Sequence, residues 1–255
     1  MRRARATALK DDPAFQALRR SLEVYYEGAR EAAIDALYGR FLKAGDLAFD
    51  IGSHVGDRIA SFRRLGALVV ALEPQPLCAA AIRAIHAGDD AVTLIEAACA
   101  AEPGSLRLLV NSANPTLSTA SADFIAASEG AGGWEGQLWD QSLAVSATTL
   151  DILIARYGVP QFAKIDVEGF EDAVLSGLSR ALPALSFEFT TIQRQVAIRC
   201  IERLAALGSY GYDVALGVSH ELAFNTWLSG QAMAAHIASL PHEANSGDVY
   251  CLLKR

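Results

Sequence analysis

Acidic side chains stand at the ends of several short apolar segments, and glycines follow the first of them at once. In the segment FDIGSHVG, Asp50 belongs to the apolar run, and Gly52 and Gly56 bracket the turn that follows it. A strand, this turn and a helix beginning near Val55 would leave backbone N–H groups free at a helix N-terminus. Glycines, which have no Cβ atom, would let a ligand approach that backbone closely.

The turn differs from a nicotinamide-binding turn, because GxGxxG is missing and an acid takes the place of its first glycine. An acid near a helix N-terminus suits a ligand that has an amino group and no pyrophosphate. S-adenosylmethionine is such a ligand. The alternative is a tight strand–helix turn in which Ser53 has a capping role.

Two further apolar segments end in residues that suit a nucleoside. VVALEP places Glu73 about twenty residues after the glycine turn, where an acid can accept both hydroxyls of a ribose. Taken alone, Glu73 could equally be a solvated residue at a strand end. VTLIEAACA ends in Glu96 and the small residues Ala97 and Ala98, against which a flat adenine could lie.

The segment FAKIDVEGFE, residues 162–171, concentrates charge in an apolar context. If 162–168 is extended, Lys164, Asp166 and Glu168 share one face, because side chains alternate along a strand. Buried charges are costly unless they are paired or used, so Asp166 or Glu168 is predicted to act as a general base. A structural Lys–carboxylate pair is the alternative for Lys164. Glu188, between two phenylalanines in ALSFEFT, repeats the pattern.

A metal site is not expected. The five histidines show neither HxxxH nor HxH spacing. Asp166, Glu168 and Glu171 have the chemistry to hold a hard cation, but we predict that they do not.

Two groups of aromatic residues have different expected roles. Trp134 and Trp139 could stack on an acceptor ring or cover the core, whereas Phe15, Tyr25 and Tyr26 are predicted to be packing residues.

The elements that must position these side chains alternate between short apolar runs and helical stretches, which is typical of βαβ units and a parallel sheet. Residues 12–43 have helical periodicity, and 111–142 is predicted to be a long loop with one helical turn that faces the substrate. Strands are predicted at 47–51, 68–73, 92–97, 105–110, 143–149, 161–167, 184–190, 211–216 and 248–253, and helices at 55–65, 76–87, 149–157, 170–180 and 193–207.

Composition narrows the class of protein. The chain has 255 residues and a net charge of −7, which argues against nucleic-acid binding despite the basic first ten residues. No apolar signal region follows those residues, and the longest uncharged run, 222–235, is too polar to span a bilayer. The four cysteines are far apart and form no CxxC pair, which is typical of reduced thiols. We expect a soluble, cytoplasmic protein without a membrane partner.

FDIGSHVG, ALEP, TTLDILIARYG and AKIDVEGFEDAVLSGL together resemble the FkbM-type family of S-adenosylmethionine-dependent methyltransferases, over residues 42–190. The resemblance implies a Rossmann-like sheet of seven strands, mostly parallel with the last strand antiparallel, and helices on both faces. It also implies methyl transfer to a hydroxyl of a small molecule, a sugar or a secondary metabolite. We expect a helical extension at 1–44 and the methyltransferase domain at 45–255.

The resemblance also implies roles for single residues. Asp50, Gly52 and Gly56 would lie at the methionine end of the cofactor, Glu73 at the ribose and Ala98 near the adenine. Asp166 and Glu168 would face the methyl group and the acceptor, with Lys164 beside them. The remaining expected cofactor-binding residues are Ser53, His54, Pro74 and Ala97.

The sequence departs from the family pattern at two positions of the glycine turn. His54 stands where the family often has asparagine, and Asp57 stands where it often has an aromatic residue. Two other functions stay open at this point. One is a catalytically silent module that binds S-adenosylmethionine or a nucleoside, and the other is an NAD-dependent oxidoreductase.

Overall fold

A seven-stranded sheet forms the centre of the computed structural model, which describes residues 12–254. The basic first ten residues lie outside this range. The strand order is β3-β2-β1-β7-β8-β10-β9, in which β10 runs antiparallel to both neighbours and the other pairings are parallel. The predicted Rossmann-like architecture with an antiparallel last strand is therefore confirmed. Its strands are β1 Leu47–Ile51, β2 Leu68–Leu72, β3 Val92–Ile95, β7 Phe162–Ile165, β8 Ala184–Thr190, β9 Tyr210–Leu216 and β10 Ser246–Leu253.

Helices cover both faces of this sheet. Alternate residues of each strand point to opposite faces, so Phe49 and Ile165 join one apolar core while Ala48 and Phe162 join the other. The helices of the described chain are α1 Pro13–Tyr25, α2 Glu31–Tyr38, α3 Asp57–Arg64, α4 Pro76–Ile85, α5 Ala122–Ser128, α6 Leu150–Tyr157, α7 Glu171–Ser176, α8 Arg194–Leu207 and α9 Gly230–Ser239. None of them is long and apolar enough to cross a membrane.

Helix α2 is part of the main structure. Its Ile34, Leu37 and Tyr38 are buried in the core that contains Phe162, and the Tyr38 ring meets the Phe162 ring edge-on at 5.5 Å. A short 3-10 turn, Gly28–Arg30, separates α1 from α2, so the segment 12–43, predicted to be helical, contains two helices.

A second sheet lies beside the first and was not predicted as such. It has the order β4-β6-β5, with β4 Ala98–Cys99, β5 Gly104–Val110 and β6 Gln141–Thr148. The runs 105–110 and 143–149 are strands as predicted, but they pair with each other instead of joining the main sheet. The segment between them contains a 3-10 turn, Pro115–Leu117, and helix α5. Helix α9 was also missed, because its amphipathic pattern is weak.

Candidate functional site

A cleft opens at the carboxyl ends of β1, β2 and β7, where open α/β sheets bind their ligands. It contains about 850 Å³ of empty space, including its opening to solvent. The structure brings most of the predicted site residues to its wall, namely Gly52, Ser53, His54, Glu73, Pro74, Ala97, Ala98, Lys164, Asp166 and Glu168. Asp50 and Gly56, which were also predicted to bind the cofactor, do not line it.

The glycine turn is built differently from the prediction. The N–H groups of Gly52 and Ser53 both donate to the Leu72 carbonyl, at 3.0 Å each, and the His54 N–H donates to Glu73 at 2.8 Å. These three amides therefore donate to other groups of the protein. The prediction that the turn presents free N–H groups is wrong for these three residues. The Ser53 hydroxyl donates to the Asp50 carbonyl at 2.9 Å and does not cap α3.

Both glycines are required by the backbone and by packing. Their φ angles are +83°, in the left-handed region. A Cβ atom on Gly52 would lie 1.8 Å from the Asp166 carbonyl oxygen, and one on Gly56 would lie 3.2 Å from Ile82. The close approach at Gly52 is thus between two segments of this chain, whereas the sequence suggested a ligand.

Asp50 lies beneath the turn, on β1. The residue is 1% exposed, and neither carboxylate oxygen has a hydrogen-bond partner among residues 12–254. Burial raises the pKa of Asp50 to about 6, although the Lys164 ammonium opposes this shift. A buried carboxylate without a partner is an unusual arrangement, because its desolvation is uncompensated. Asp50 is not among the residues that line the cleft, and its predicted contact with the cofactor stays a prediction.

Glu73 follows β2 and is held rigidly. Its two oxygens accept hydrogen bonds from the His54 and Gln75 N–H groups, each at 2.8 Å. It is 2% exposed, and burial raises its pKa to about 8. A carboxyl group fixed at the edge of a cleft retains lone pairs for further donors, such as two neighbouring hydroxyls.

His54 links three parts of the cleft. Its Nε2 lies 3.3 Å from the Thr116 hydroxyl, and its ring meets the Tyr25 ring edge-on at 5.4 Å. Its Nδ1 lies 3.7 Å from the Cys78 thiol. Burial lowers the pKa of His54 to about 4, so the imidazole is neutral around pH 7.

Helix α1 closes one side of the cleft. Tyr25 lines it, and the Tyr26 hydroxyl donates to the Val55 carbonyl at 3.0 Å. Arg20 donates to the Ala113 carbonyl at 3.1 Å, which ties the helix to the segment between β5 and β6. Tyr25 was predicted to be a packing residue. Its helical spacing could not distinguish packing from a place in the cleft, because the partner segment is distant in sequence.

Lys164 and Asp166 form an ion pair at the end of β7. Burial alone would lower the pKa of Lys164, but the carboxylates of Asp166 and Asp248 outweigh it and raise that pKa well above its usual value. Burial would likewise raise the pKa of Asp166, but Lys164 outweighs burial and lowers that pKa. Lys164 is 3% exposed, so the structural pair considered from the sequence is present and also borders the cleft.

The Glu168 carboxylate also lies near Asp166, but a turn after the strand places it there. Strand β7 ends at Ile165, so the extended run predicted for 162–168 is wrong at its end. Glu168 instead adopts a φ of +56° and is followed by Gly169 at +82°. This turn brings the Glu168 carboxylate to Asp166 and Glu188, where oxygens of the three side chains lie within 4.8 Å of one another. Burial and the Asp166 carboxylate raise the pKa of Glu168 well above its usual value.

Glu188 is the member of this cluster that was absent from the predicted site residues. It lies on β8, and its carboxyl is hydrogen-bonded to Asp166. Burial and the carboxylates of Asp166 and Glu168 raise its pKa well above the usual value. Its position between two phenylalanines indicated a buried acid, and only the strand order shows that β8 adjoins β7.

The two tryptophans of the segment between β5 and β6 pack within that segment. Trp134 and Trp139 meet the Phe124 ring edge-on, at 5.3 and 6.1 Å, and neither lines the cleft. The same segment supports the acidic cluster, because the Thr119 hydroxyl donates to the Glu168 carbonyl at 2.7 Å.

These residues fit a nucleoside-bearing cation. The cleft is lined by the fixed carboxyl of Glu73, by the small side chains of Ala97 and Ala98, and by Asp166 and Glu168 of the acidic cluster. S-adenosylmethionine presents hydroxyls, a flat base and a positive charge, which these groups match. The chemistry of the donor set thus suits this cofactor.

The match to a family model agrees with this assignment. Residues 50–214 match the family model described as Methyltransferase FkbM domain. No curated protein matches the sequence. Among solved structures, precorrin-6y C5,15-methyltransferase from Geobacter metallireducens GS-15 is similar, with 14% identity, a TM-score of 0.47 and coverage of 88% of this chain and 87% of that chain. An O-methyltransferase from Bacillus cereus in complex with SAH is also similar. It has 11% identity, a TM-score of 0.45 and coverage of 94% of this chain and 91% of that chain.

Proposed function

Because this chain belongs to the FkbM methyltransferase domain family and uses S-adenosylmethionine, we propose that it methylates a hydroxyl oxygen of a small molecule, a sugar or a secondary metabolite. The observation that carries the proposal is the acidic cluster of Asp166, Glu168 and Glu188 at the carboxyl end of the central strands. A hydroxyl is a weak nucleophile until its proton is removed, and carboxylates at the reacting end of the cleft are suited to that task.

The chain's own residues would act chiefly by positioning. When bound, S-adenosylmethionine supplies an electrophilic methyl group, and displacement needs the acceptor oxygen in line with it. Glu73 and the alanines at 97 and 98 would hold the nucleoside part, and Tyr25 on α1, which lines the cleft, would limit access of water. A carboxylate of the acidic cluster would accept the hydroxyl proton, and Lys164 keeps Asp166 ionised beside it.

A small acceptor is favoured by charge and by shape. The net charge of −7 and the acidic lining argue against a polyanionic acceptor such as a nucleic acid, because phosphates would be repelled. The segment between β5 and β6 reaches the cleft through Thr116, Ser118 and Ala120, so it is the part of the chain that would select the acceptor.

Two measurements test the proposal. Calorimetric titrations with S-adenosylmethionine, its demethylated product and NAD should give binding of the first two and weaker binding of NAD. Incubation with labelled S-adenosylmethionine and paired acceptors, each hydroxyl compound matched with its methyl ether and its amine analogue, should label only the hydroxyl compounds. Preference for NAD, or methyl transfer only to amines, would contradict the proposal.

A further inference from the structure

We propose that the carboxylates of Asp166, Glu168 and Glu188 form a binding site for one divalent cation, of the class of Mg²⁺ or Mn²⁺. The role of this ion in methyl transfer rests on the proposed function, whereas its binding does not. The sequence predicted no metal, and the nearest alternative was the set Asp166, Glu168 and Glu171. In the structure, Glu188 takes the place of Glu171 in the set, and the resulting cluster is what leads us to propose a metal site.

The spacing of the oxygens is the first observation. One carboxylate oxygen from each of the three side chains lies within 4.8 Å of the other two. Oxygen ligands that surround Mg²⁺, Mn²⁺ or Ca²⁺ at about 2.0 to 2.6 Å are separated from one another by about 3 to 5 Å. The three oxygens are thus close enough to contact one ion without rearrangement of the backbone.

Glu168 supplies the second and independent observation. It is 6% exposed, and its carboxylate accepts no hydrogen bond and forms no ion pair within residues 12–254. It is nevertheless aimed into the cluster by a backbone with φ of +56°, a conformation that is costly for a residue other than glycine. A strained, buried and unpartnered carboxylate is accounted for if it has a ligand that the protein itself does not provide.

The local charge balance favours a cation. Lys164 is paired with Asp166, and Arg58 is paired with Asp57. The described residues provide no salt bridge for Glu168, Glu188 or the nearby Asp248. A doubly charged ion would offset this excess of acidic groups, which hydrogen bonds between carboxyl groups satisfy only in part.

Glu171 is excluded from the set by its own contacts. One of its oxygens accepts hydrogen bonds from the Val167 and Gly169 N–H groups, at 2.9 and 3.3 Å. Glu171 therefore holds the turn that aims Glu168, and Glu188 takes the place that the sequence suggested for it.

An ion at this position would lie where the cleft is proposed to receive the acceptor. Three carboxylate oxygens leave coordination positions for water or for oxygens of an acceptor. A hydroxyl that binds such an ion loses its proton more readily. A carboxylate that ligates with one oxygen keeps the other, so the same cluster could still accept that proton.

The test is metal binding by the full chain, freed of metal with a chelator and then exchanged into chelator-free buffer, without cofactor or acceptor. Titration with Mn²⁺, followed by the electron paramagnetic resonance signal of the free ion, should show one saturable site per chain. Glu168→Gln and Glu188→Gln should each weaken binding at least about tenfold. Asp172→Asn is the matched control, because Asp172 is a nearby acid that pairs with Arg199 outside the cluster and should bind Mn²⁺ like the parent.

Saturable binding that is lost in the two glutamine variants and kept in the control would support the site. No saturable Mn²⁺ binding by the parent would show that hydrogen bonding alone holds the cluster, and would overturn the inference. Equal affinities in the parent and both glutamine variants would overturn it as well. If a glutamine variant fails to fold, Mn²⁺-dependent thermal stabilisation of the parent decides, since an ion that binds the native state raises Tm. Binding of S-adenosylmethionine in excess chelator tests the proposed function separately.

Discussion

Asp50 and Lys164 are register neighbours on the parallel strands β1 and β7, yet Lys164 forms its ion pair with Asp166 and leaves Asp50 without a hydrogen-bonding partner. The two side chains lie on the same face of the sheet. Because no hydrogen bond joins them, the Lys164 ammonium stabilises the Asp50 charge only by electrostatic attraction over a distance. The chain therefore carries a buried carboxylate on β1, next to the glycine turn that follows this strand. Such an arrangement lowers stability and is retained where function needs it.

The first prediction concerns the free energy of unfolding that is lost because the Asp50 carboxylate is buried. Asp50 has its usual pKa in the unfolded chain and a pKa of about 6 in the folded protein. The folded state thus holds the proton more tightly, so the cost is absent below about pH 4, grows as the pH rises, and is complete above about pH 6. Two pKa units correspond to about 3 kcal/mol. Asp50→Asn should therefore raise the free energy of unfolding at pH 8 by about 1 to 3 kcal/mol and flatten its pH dependence between 4 and 6.

Denaturant unfolding at several pH values, with S-adenosylmethionine titrations alongside, checks this prediction. We expect the variant to bind the cofactor several-fold less tightly, because the negative charge beneath the turn is lost. A variant that is both less stable and equally tight in binding would show that Asp50 is a structural residue. Ser186→Ala is a matched control, since Ser186 is also buried and unpartnered in the same sheet but carries no charge.

The second prediction concerns Glu73. Glu73→Ala should weaken binding of S-adenosylmethionine about tenfold or more, because it removes a fixed acceptor and frees the amides of His54 and Gln75. Glu96→Ala is the control, since this acid also follows a neighbouring strand but pairs with Arg83 and lies outside the cleft wall. Calorimetry on both variants, with circular dichroism to confirm folding, gives the comparison. Equal affinities in the two variants would contradict the ribose assignment.

The third prediction concerns the turn itself. Gly52→Ala would place a methyl group 1.8 Å from the Asp166 carbonyl oxygen, so β1 and β7 would have to separate. Gly45 has almost the same φ, +85°, and nothing within 4 Å of its Cβ position. Gly45→Ala should lower the free energy of unfolding by about 1 kcal/mol, the cost of the left-handed backbone alone. Gly52→Ala should lower it by at least about 3 kcal/mol more. Similar losses in the two variants, measured by denaturant unfolding, would show that the contact is easily relieved.

Pattern and spacing predicted the main sheet well, since strands 47–51 and 184–190 have the predicted bounds. Local sequence determines both, because Gly45 and Gly52 flank the first run and Pro183 precedes the second. The pairing of β5 with β6 in a separate sheet was missed, because pairing depends on contacts between distant residues. Glu168 was placed in the right cluster for a wrong reason, since the strand ends at Ile165 and a left-handed turn completes the approach.

The fourth prediction concerns helix α1. Tyr25→Ala should weaken cofactor binding and raise its dissociation rate, because the Tyr25 ring packs on His54 and forms part of the cleft wall. We expect a loss of about three- to tenfold, consistent with an aromatic contact of about 1 kcal/mol. Phe15→Ala is the control on the same helix, since Phe15 is 40% exposed and does not line the cleft. Stopped-flow measurement of dissociation distinguishes the two variants, and identical rates would assign α1 a purely structural role.

The last prediction concerns Asp166 and Glu168. Both carboxylates face the cleft, so each could take the hydroxyl proton or hold the group that activates it. Asp166→Asn and Glu168→Gln should each lower turnover by roughly 10²-fold or more, the usual size of a general-base contribution. Affinity for S-adenosylmethionine should change much less, because neither residue is needed to hold the nucleoside. Asp172→Asn, an acid of the following helix that faces Arg199, should keep full turnover. Single-turnover kinetics with saturating cofactor separates the chemical step from binding. Unchanged turnover in both amide variants would leave alignment of the two substrates as the source of the rate.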